Sequence, residues 1–226
     1  MKYEYLFFDA DNTLWDFDLS EKFALFKVIT DNDVAYEPAH LETYHKVNRA
    51  CWRNFEQGNL AVAELKSKRF ELFCNEFDLK LDAEAMGKSY LGYLASTDFM
   101  IPGALALLNR LSLKHKLVLV TNGIKEVQRR RISNTRIEAY FKAIVISDEI
   151  GVAKPHAGFF DYAFEQVGHP AKDNVLMIGD SLSSDIRGGN DYGMATCWFN
   201  PGKVEGNLEV VASFEIAGLE EIYGLV

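Results

Sequence analysis

Short apolar runs alternate with stretches of helical periodicity along most of the chain. Tyr5-Leu6-Phe7-Phe8 is apolar throughout and stops abruptly at Asp9. Runs of the same kind recur at 116–121, 143–146, 174–178 and 194–198. A short apolar run bounded by polar punctuation predicts a strand, and one without in–out alternation predicts a strand buried on both faces. Between the runs, apolar residues fall three and four apart. Pro102-Gly103 opens one such segment, which continues through Ala104, Leu107, Leu108 and Leu111. Others run from Ile124 to Asn134, Phe159 to Val167 and Ser183 to Tyr192, and 218–223 predicts a short terminal helix. Glu209-Val210-Val211-Ala212 predicts an additional edge strand. Strand and helix in alternation predict an α/β fold with a parallel sheet and helices on both faces.

The alternation is interrupted once. From about Leu19 to Thr97 the pattern is helical only, with faces at Phe23, Phe26, Val28 and Ile29, then Leu41, Tyr44, Val47, Trp52 and Phe55. After a break at Gly58-Asn59 come Leu65, Phe70, Phe73 and Phe77, then Met86, Tyr90, Leu91 and Leu94. Four helices without a strand predict a small bundle. It separates the first strand from the rest of the sheet. The expected organisation is therefore an α/β core, 1–16 and 99–226, carrying an inserted helical cap, 17–98.

Composition narrows the class. The chain has 226 residues, 48% hydrophobic and 25% charged, with a net charge of −9 and a pI near 5.1. That balance argues against a nucleic acid polymer as partner, which favours a basic face. No apolar run reaches the ~20 residues of a membrane span, and the first strand begins too soon for a signal peptide. Cys51, Cys74 and Cys197 are odd in number and widely spaced, which predicts buried thiols in a cytoplasmic protein. The five histidines lack metal-ligand spacing. No nucleophile elbow, P-loop or dinucleotide fingerprint is present.

The chemistry gathers at predicted strand ends, the edge of an open α/β sheet where ligands bind. Asp9 and Asp11 follow strand 1, Thr121-Asn122-Gly123 follows strand 2, Lys154-Pro155 follows strand 3, and Gly179-Asp180 through Asp185 follows strand 4. Taken singly, each has a plain structural role as a turn, a cap or an exposed loop. Taken together they match phosphoryl transfer, which is chiefly positioning and charge stabilisation. Asp9 is placed to be a nucleophile and Asp11 a general acid/base. Two acids this close call for a cation, and Mg²⁺ accepts one or two carboxylates plus phosphate oxygens. Its expected ligands are Asp9, a backbone carbonyl near Asp11, and Asp180. Thr121, Asn122 and Lys154 are expected to hold phosphoryl oxygens, and Asp185 to support Lys154 or the metal's waters. The Arg129-Arg130-Arg131 run predicts a solvated helix face. Trp15 and Phe17 can border a base or pack in a core.

These four motifs resemble those of the haloacid dehalogenase superfamily, and the helical insertion falls where that superfamily's C1 cap falls. The resemblance implies a Rossmann-like fold and a Mg²⁺-dependent phosphatase working through an aspartyl-phosphate on Asp9. Asn12 departs from the glycine many members have there. True dehalogenases lack an acid at the Asp11 position, so Asp11 favours phosphate chemistry. The segment from Phe7 to Phe17 is similar to the bacterial house-cleaning pyrimidine 5′-nucleotidases, which implies nucleoside monophosphates as substrates. The alternatives are another small phosphorylated metabolite, such as a sugar phosphate or phosphoglycolate, a 2-haloacid, or a non-catalytic scaffold. A monomer or a homodimer is expected.

Overall fold

A computed structural model describes residues 2–206 and 209–226. In chain order its elements are β1 (Tyr5–Phe8), α1 (Phe17–Asp31), α2 (Pro38–Glu56), α3 (Val62–Glu76), α4 (Ala83–Ser96), α5 (Ala104–Leu111) and β2 (Lys116–Thr121). They continue with α6 (Lys125–Thr135), β3 (Phe141–Ile146), α7 (Ser147–Ile150), α8 (Ala157–Glu165), β4 (Val175–Gly179), α9 (Arg187–Tyr192), β5 (Ala195–Phe199) and β6 (Phe214–Ile216). Two compact units result: Met1–Phe17 with Asp98–Val226, and Asp18–Thr97.

The first unit is α/β. Its six strands lie in the order β3-β2-β1-β4-β5-β6, and every pairing is parallel. The central strand is buried at all four positions because both of its faces are covered. Leu6 and Phe8 join Leu117, Leu119, Leu176 and Ile178 against Leu107, Leu108 and Leu111 of α5. Tyr5 and Phe7 join Val118, Val120 and Met177 against Phe159, Phe160 and Phe164 of α8. Each fully buried Phe or Leu contributes about 1.5–3 kcal/mol, so a one-residue slip of β1 is strongly opposed. The edge strand is Phe214–Ile216, paired with β5, rather than 209–212. Val211 is exposed, whereas Ile216 joins the core. The run at 183–192 is a single π turn, Leu182–Ile186, leading into α9.

The second unit is the helical bundle α1–α4. Tyr44, Phe70 and Tyr90 form an aromatic triangle with ring centroids 5.3 Å apart in each pair. Asp82 caps α4 by accepting from the Glu84 and Ala85 backbone N–H groups, an ordinary N-cap. The buried face of α1 is Ser20, Glu21, Ala24, Leu25, Val28 and Ile29, so Phe23 and Phe26 point outward instead. Glu21 is the reason: its carboxylate turns into the bundle, accepting from Asn48 Nδ2 at 2.6 Å with His45 Nε2 2.8 Å away. Asn48 Oδ1 in turn accepts from buried Arg69 at 3.1 Å. A polar network, rather than aromatic packing, sets the rotation of α1.

Candidate active site

The parallel sheet brings four strand ends to one edge. Phe8 lies level with Leu119 of β2 and Ile178 of β4. One residue past Phe8 is Asp9, two past Leu119 is Thr121, and two past Ile178 is Asp180. Asp9 is tied down by its own N–H, which donates to Ile178 O at 2.9 Å. Asn12 sits at φ 60°, the left-handed region where Asn is tolerated among non-glycine residues. Its Oδ1 accepts from Phe17 N at 2.9 Å, so the side chain closes the loop that a glycine would leave open.

Lys154 is the centre of charge. It is 1% exposed, and its ammonium donates to Asp9 Oδ1 at 2.5 Å, Asp185 Oδ1 at 2.7 Å and Val120 O at 2.8 Å. All three ammonium hydrogens are thereby used. Burial alone lowers its pKa, but the Asp185 and Asp9 carboxylates outweigh burial and hold the lysine charged. Asp9 is pushed up to about 7, mainly by burial; Lys154 opposes this and the Asp185 and Asp11 charges add to it. Asp180 is raised well above the ordinary carboxylate range by burial and by the charges of Asp9 and Asp185. Carboxylate oxygens of Asp9, Asp180 and Asp185 lie within 4.8 Å of one another. Three acids against one ammonium cannot all ionise in a desolvated place unless a further cation joins them. That hard-oxygen set suits Mg²⁺, and it is Asp185 rather than the Asp11 side chain that completes the group.

The other expected residues are placed as follows. Thr121 Oγ is buried and accepts from Gly123 N and Gln128 Nε2, leaving its hydroxyl hydrogen to donate elsewhere. Asn122 uses its amide on the Lys154 backbone, donating to the carbonyl at 2.8 Å and accepting from the N–H at 2.9 Å. It therefore braces the lysine loop. Asp185 accepts from Ser181 N as well as Lys154. Gly179 makes that possible, since a Cβ there would stand 2.2 Å from Asp185 Oδ2. The carboxylate of Asp11 turns to α6, where Arg131 and Gln128 meet it. Arg131 is fully buried, which corrects the expectation of a solvated face for that residue; Arg129 and Arg130 are exposed as expected, and Arg129 pairs with Glu149. Trp15 is buried and carries the Arg131 guanidinium 4.6 Å above its ring. Gln128 and Arg131 escaped the sequence reading. The signal for them was present in their i, i+3 spacing between the apolar residues Val127 and Ile132.

A haloacid dehalogenase-like hydrolase family model matches residues 3–193. The chain belongs to the haloacid dehalogenase-like hydrolases. This hydrolase is 34% identical to the pyrimidine 5′-nucleotidase YjjG of Escherichia coli, over all of this chain and 99% of that protein. It is 33% identical to the pyrimidine 5′-nucleotidase PynA of Streptococcus pneumoniae, over 98% of this chain and 94% of that one. The crystal structure of the HAD-hydrolase YfnB from Bacillus subtilis, bound to magnesium, superposes with a TM-score of 0.94 at 32% identity, covering 100% of this hydrolase and 99% of YfnB. Among the described residues of this hydrolase, no helix is long and apolar enough to cross a membrane.

Proposed function

We propose that this hydrolase is a Mg²⁺-dependent 5′-nucleotidase acting on pyrimidine nucleoside monophosphates through an aspartyl-phosphate. The observation that carries the reading is the Asp9–Lys154–Asp185 bridge with Asp180 beside it and Asp11 two residues from Asp9. An oxygen of Asp9 attacks phosphorus, and the phosphorus–oxygen bond to the leaving alkoxide breaks. Asp11 gives that alkoxide its proton. Asp11 then takes a proton from the water that attacks the acyl-phosphate, so inorganic phosphate leaves and the Asp9 carboxylate returns. The charge of Lys154 and the hydroxyl hydrogen of Thr121 stabilise the phosphoryl oxygens in both steps, and Asn122 and Asp185 keep Lys154 in place. Asp9, Asp180 and a backbone carbonyl near Asp11, with Asp185 close by, would hold Mg²⁺, which neutralises phosphoryl charge when bound.

The nucleotide assignment is supported by full-length similarity to two pyrimidine 5′-nucleotidases and by the Phe7–Phe17 segment. The magnesium assignment is supported by the oxygen donor set and by YfnB, which was solved with that ion. Three free, buried cysteines and a net charge of −9 support a reducing, cytoplasmic setting and a small-molecule substrate rather than a nucleic acid polymer. The test is phosphate release from a panel of nucleotides and sugar phosphates, with Mg²⁺ or chelator, using Asp9→Asn as control. Metal-dependent turnover that favours dUMP, dTMP or UMP and disappears in the control is the expected result. Preference for a sugar phosphate moves the substrate and leaves the mechanism, whereas no turnover on any phosphomonoester overturns both.

A further inference from the structure

Helix α6 presents two polar side chains to Asp11 from within its buried face. Val127, Gln128, Arg131 and Ile132 are the buried residues of that helix. Arg131 Nη1 donates to Asp11 Oδ1 at 2.5 Å, and Gln128 Nε2 donates to Asp11 Oδ2 at 2.7 Å. One carboxylate is thus gripped at both oxygens by residues three apart on one helix. Gln128 Nε2 also donates to Thr121 Oγ1 at 2.9 Å, so the same amide touches two of the proposed active groups. Gly123 permits this reach, because a Cβ at that position would stand 2.3 Å from Gln128 Nε2.

Stability alone is a poor reason for this arrangement. Taking a guanidinium wholly out of water costs several kcal/mol, and an apolar side chain of similar volume often does better in such a place. Arg131 Nε and Nη2 find no partner among the described residues, and neither does Gln128 Oε1. The guanidinium has two specific contacts instead, the Asp11 oxygen and the face of Trp15. A planar fork stacked on a ring has little freedom to turn, so it fixes the direction of what it holds. Asp11 itself sits on a loop, where an unheld carboxylate samples several rotamers.

We infer that Arg131 and Gln128 are positioning residues for the general acid/base Asp11, setting its carboxylate direction relative to the phosphoryl-binding Thr121 hydroxyl. The inference rests on the proposed role of Asp11. A displaced acid harms the bond-breaking step only when the leaving group needs a proton. Alkoxides need one; p-nitrophenolate leaves without it. General acid catalysis is typically worth 10²–10⁴-fold, which bounds the effect.

The experiment compares kcat/KM for a nucleoside monophosphate and for p-nitrophenyl phosphate, with Mg²⁺, in the parent, Arg131→Met, Gln128→Leu and Asp11→Asn. This parameter reports steps through acyl-phosphate formation, so water activation does not enter it. Arg131→Met is expected to lose about 10²-fold on the nucleotide and under about fivefold on the aryl ester, and to add little in the Asp11→Asn background. Arg131→Lys is expected to recover part of the nucleotide rate. Equal losses on both substrates, or full additivity with Asp11→Asn, overturn the inference. Arg131→Gln carries the same test should Arg131→Met fail to fold, because Gln128 also touches Thr121 and its loss affects both substrates. A crystal structure of either variant decides the matter apart from activity: a displaced Asp11 carboxylate is expected, and an unmoved one refutes the positioning role even if the parent hydrolyses nothing.

Discussion

Replacing Lys154 by methionine keeps most of its volume and removes the ammonium that bridges Asp9 and Asp185. Asp9 and Asp185 each lose an ion pair, at 2.5 and 2.7 Å, and Asp180 loses a nearby positive charge. Removing one partner of a buried pair costs about 3–5 kcal/mol. Asp9, pushed up to about 7 in the parent, sheds its remaining charge at little cost, which leaves Asp185 as the acid that loses most. Lys154→Met is therefore expected to lose about 3–4 kcal/mol at pH 7 in chelator, the lower part of that range. For a chain of this length that is a fall in melting temperature of roughly 6–16 °C by calorimetry. Proton uptake becomes easier on acidification, so the gap narrows toward pH 5. Millimolar Mg²⁺ raises the melting temperature of the variant more than that of the parent, because it replaces the missing charge. A gap under about 1 kcal/mol at pH 7, or one that widens on acidification, would refute the claim that Lys154 is the principal counter-charge.

Two further outcomes depend on pH. Burial pushes Asp9 up to about 7, so the folded protein keeps a proton that the unfolded chain releases above 3.8. Metal-free stability therefore declines as pH rises from about 4 to 7. Mg²⁺ displaces that proton and the one that Asp180 retains, so its apparent affinity climbs as pH rises toward about 7. Titration calorimetry in buffers of different ionisation enthalpy measures the released proton, and affinity independent of pH between about 5.5 and 7 contradicts the assignment. In the helical unit, His45 has a raised pKa because it bonds to Glu21. Its contribution is whole below the ordinary value of 6.5 and is lost as pH climbs through the raised folded value. Melting of His45→Gln should thus differ from the parent most in mild acid and least in alkali, and the opposite trend would show that His45 is not stabilised by charge.

The fold class was legible because β1 and its neighbours are covered on both faces. That makes Tyr5–Phe8 and Val175–Gly179 uninterrupted apolar runs, and helices fill the intervals. The edge was less legible. Val210 and Val211 have the composition of a strand, but the pairing partner of Trp198 is Glu215. Composition reports burial poorly where only one neighbour exists. The same weakness misplaced half of the α1 face: Val28 and Ile29 are buried as expected, but Phe23 and Phe26 outweigh Glu21 on any hydrophobic scale while the Glu21 network decides the packing. At the site, Asp9 and Asp180 announced themselves by lying just past strand ends, and Lys154 and Asp185 by following in the segments beyond β3 and β4. Arg131 could not, because three consecutive arginines look like a wetted surface, and only the position of Asp11 across the loop shows that the third one faces inward.

The two crossings into the helical unit are stitched to each other. Trp15 and Met100 form an antiparallel bridge, and Asp16 N donates to Phe99 O at 2.9 Å. An insertion whose ends are clasped in this way behaves like a cassette. Its length and contents can change without stretching or slackening the chain that leaves β1 or the chain that runs on into α5. A lineage can therefore exchange the helical unit while inheriting the sheet edge intact. An engineer can treat residues 18–97 as a replaceable part, with the Trp15–Met100 clasp as the socket.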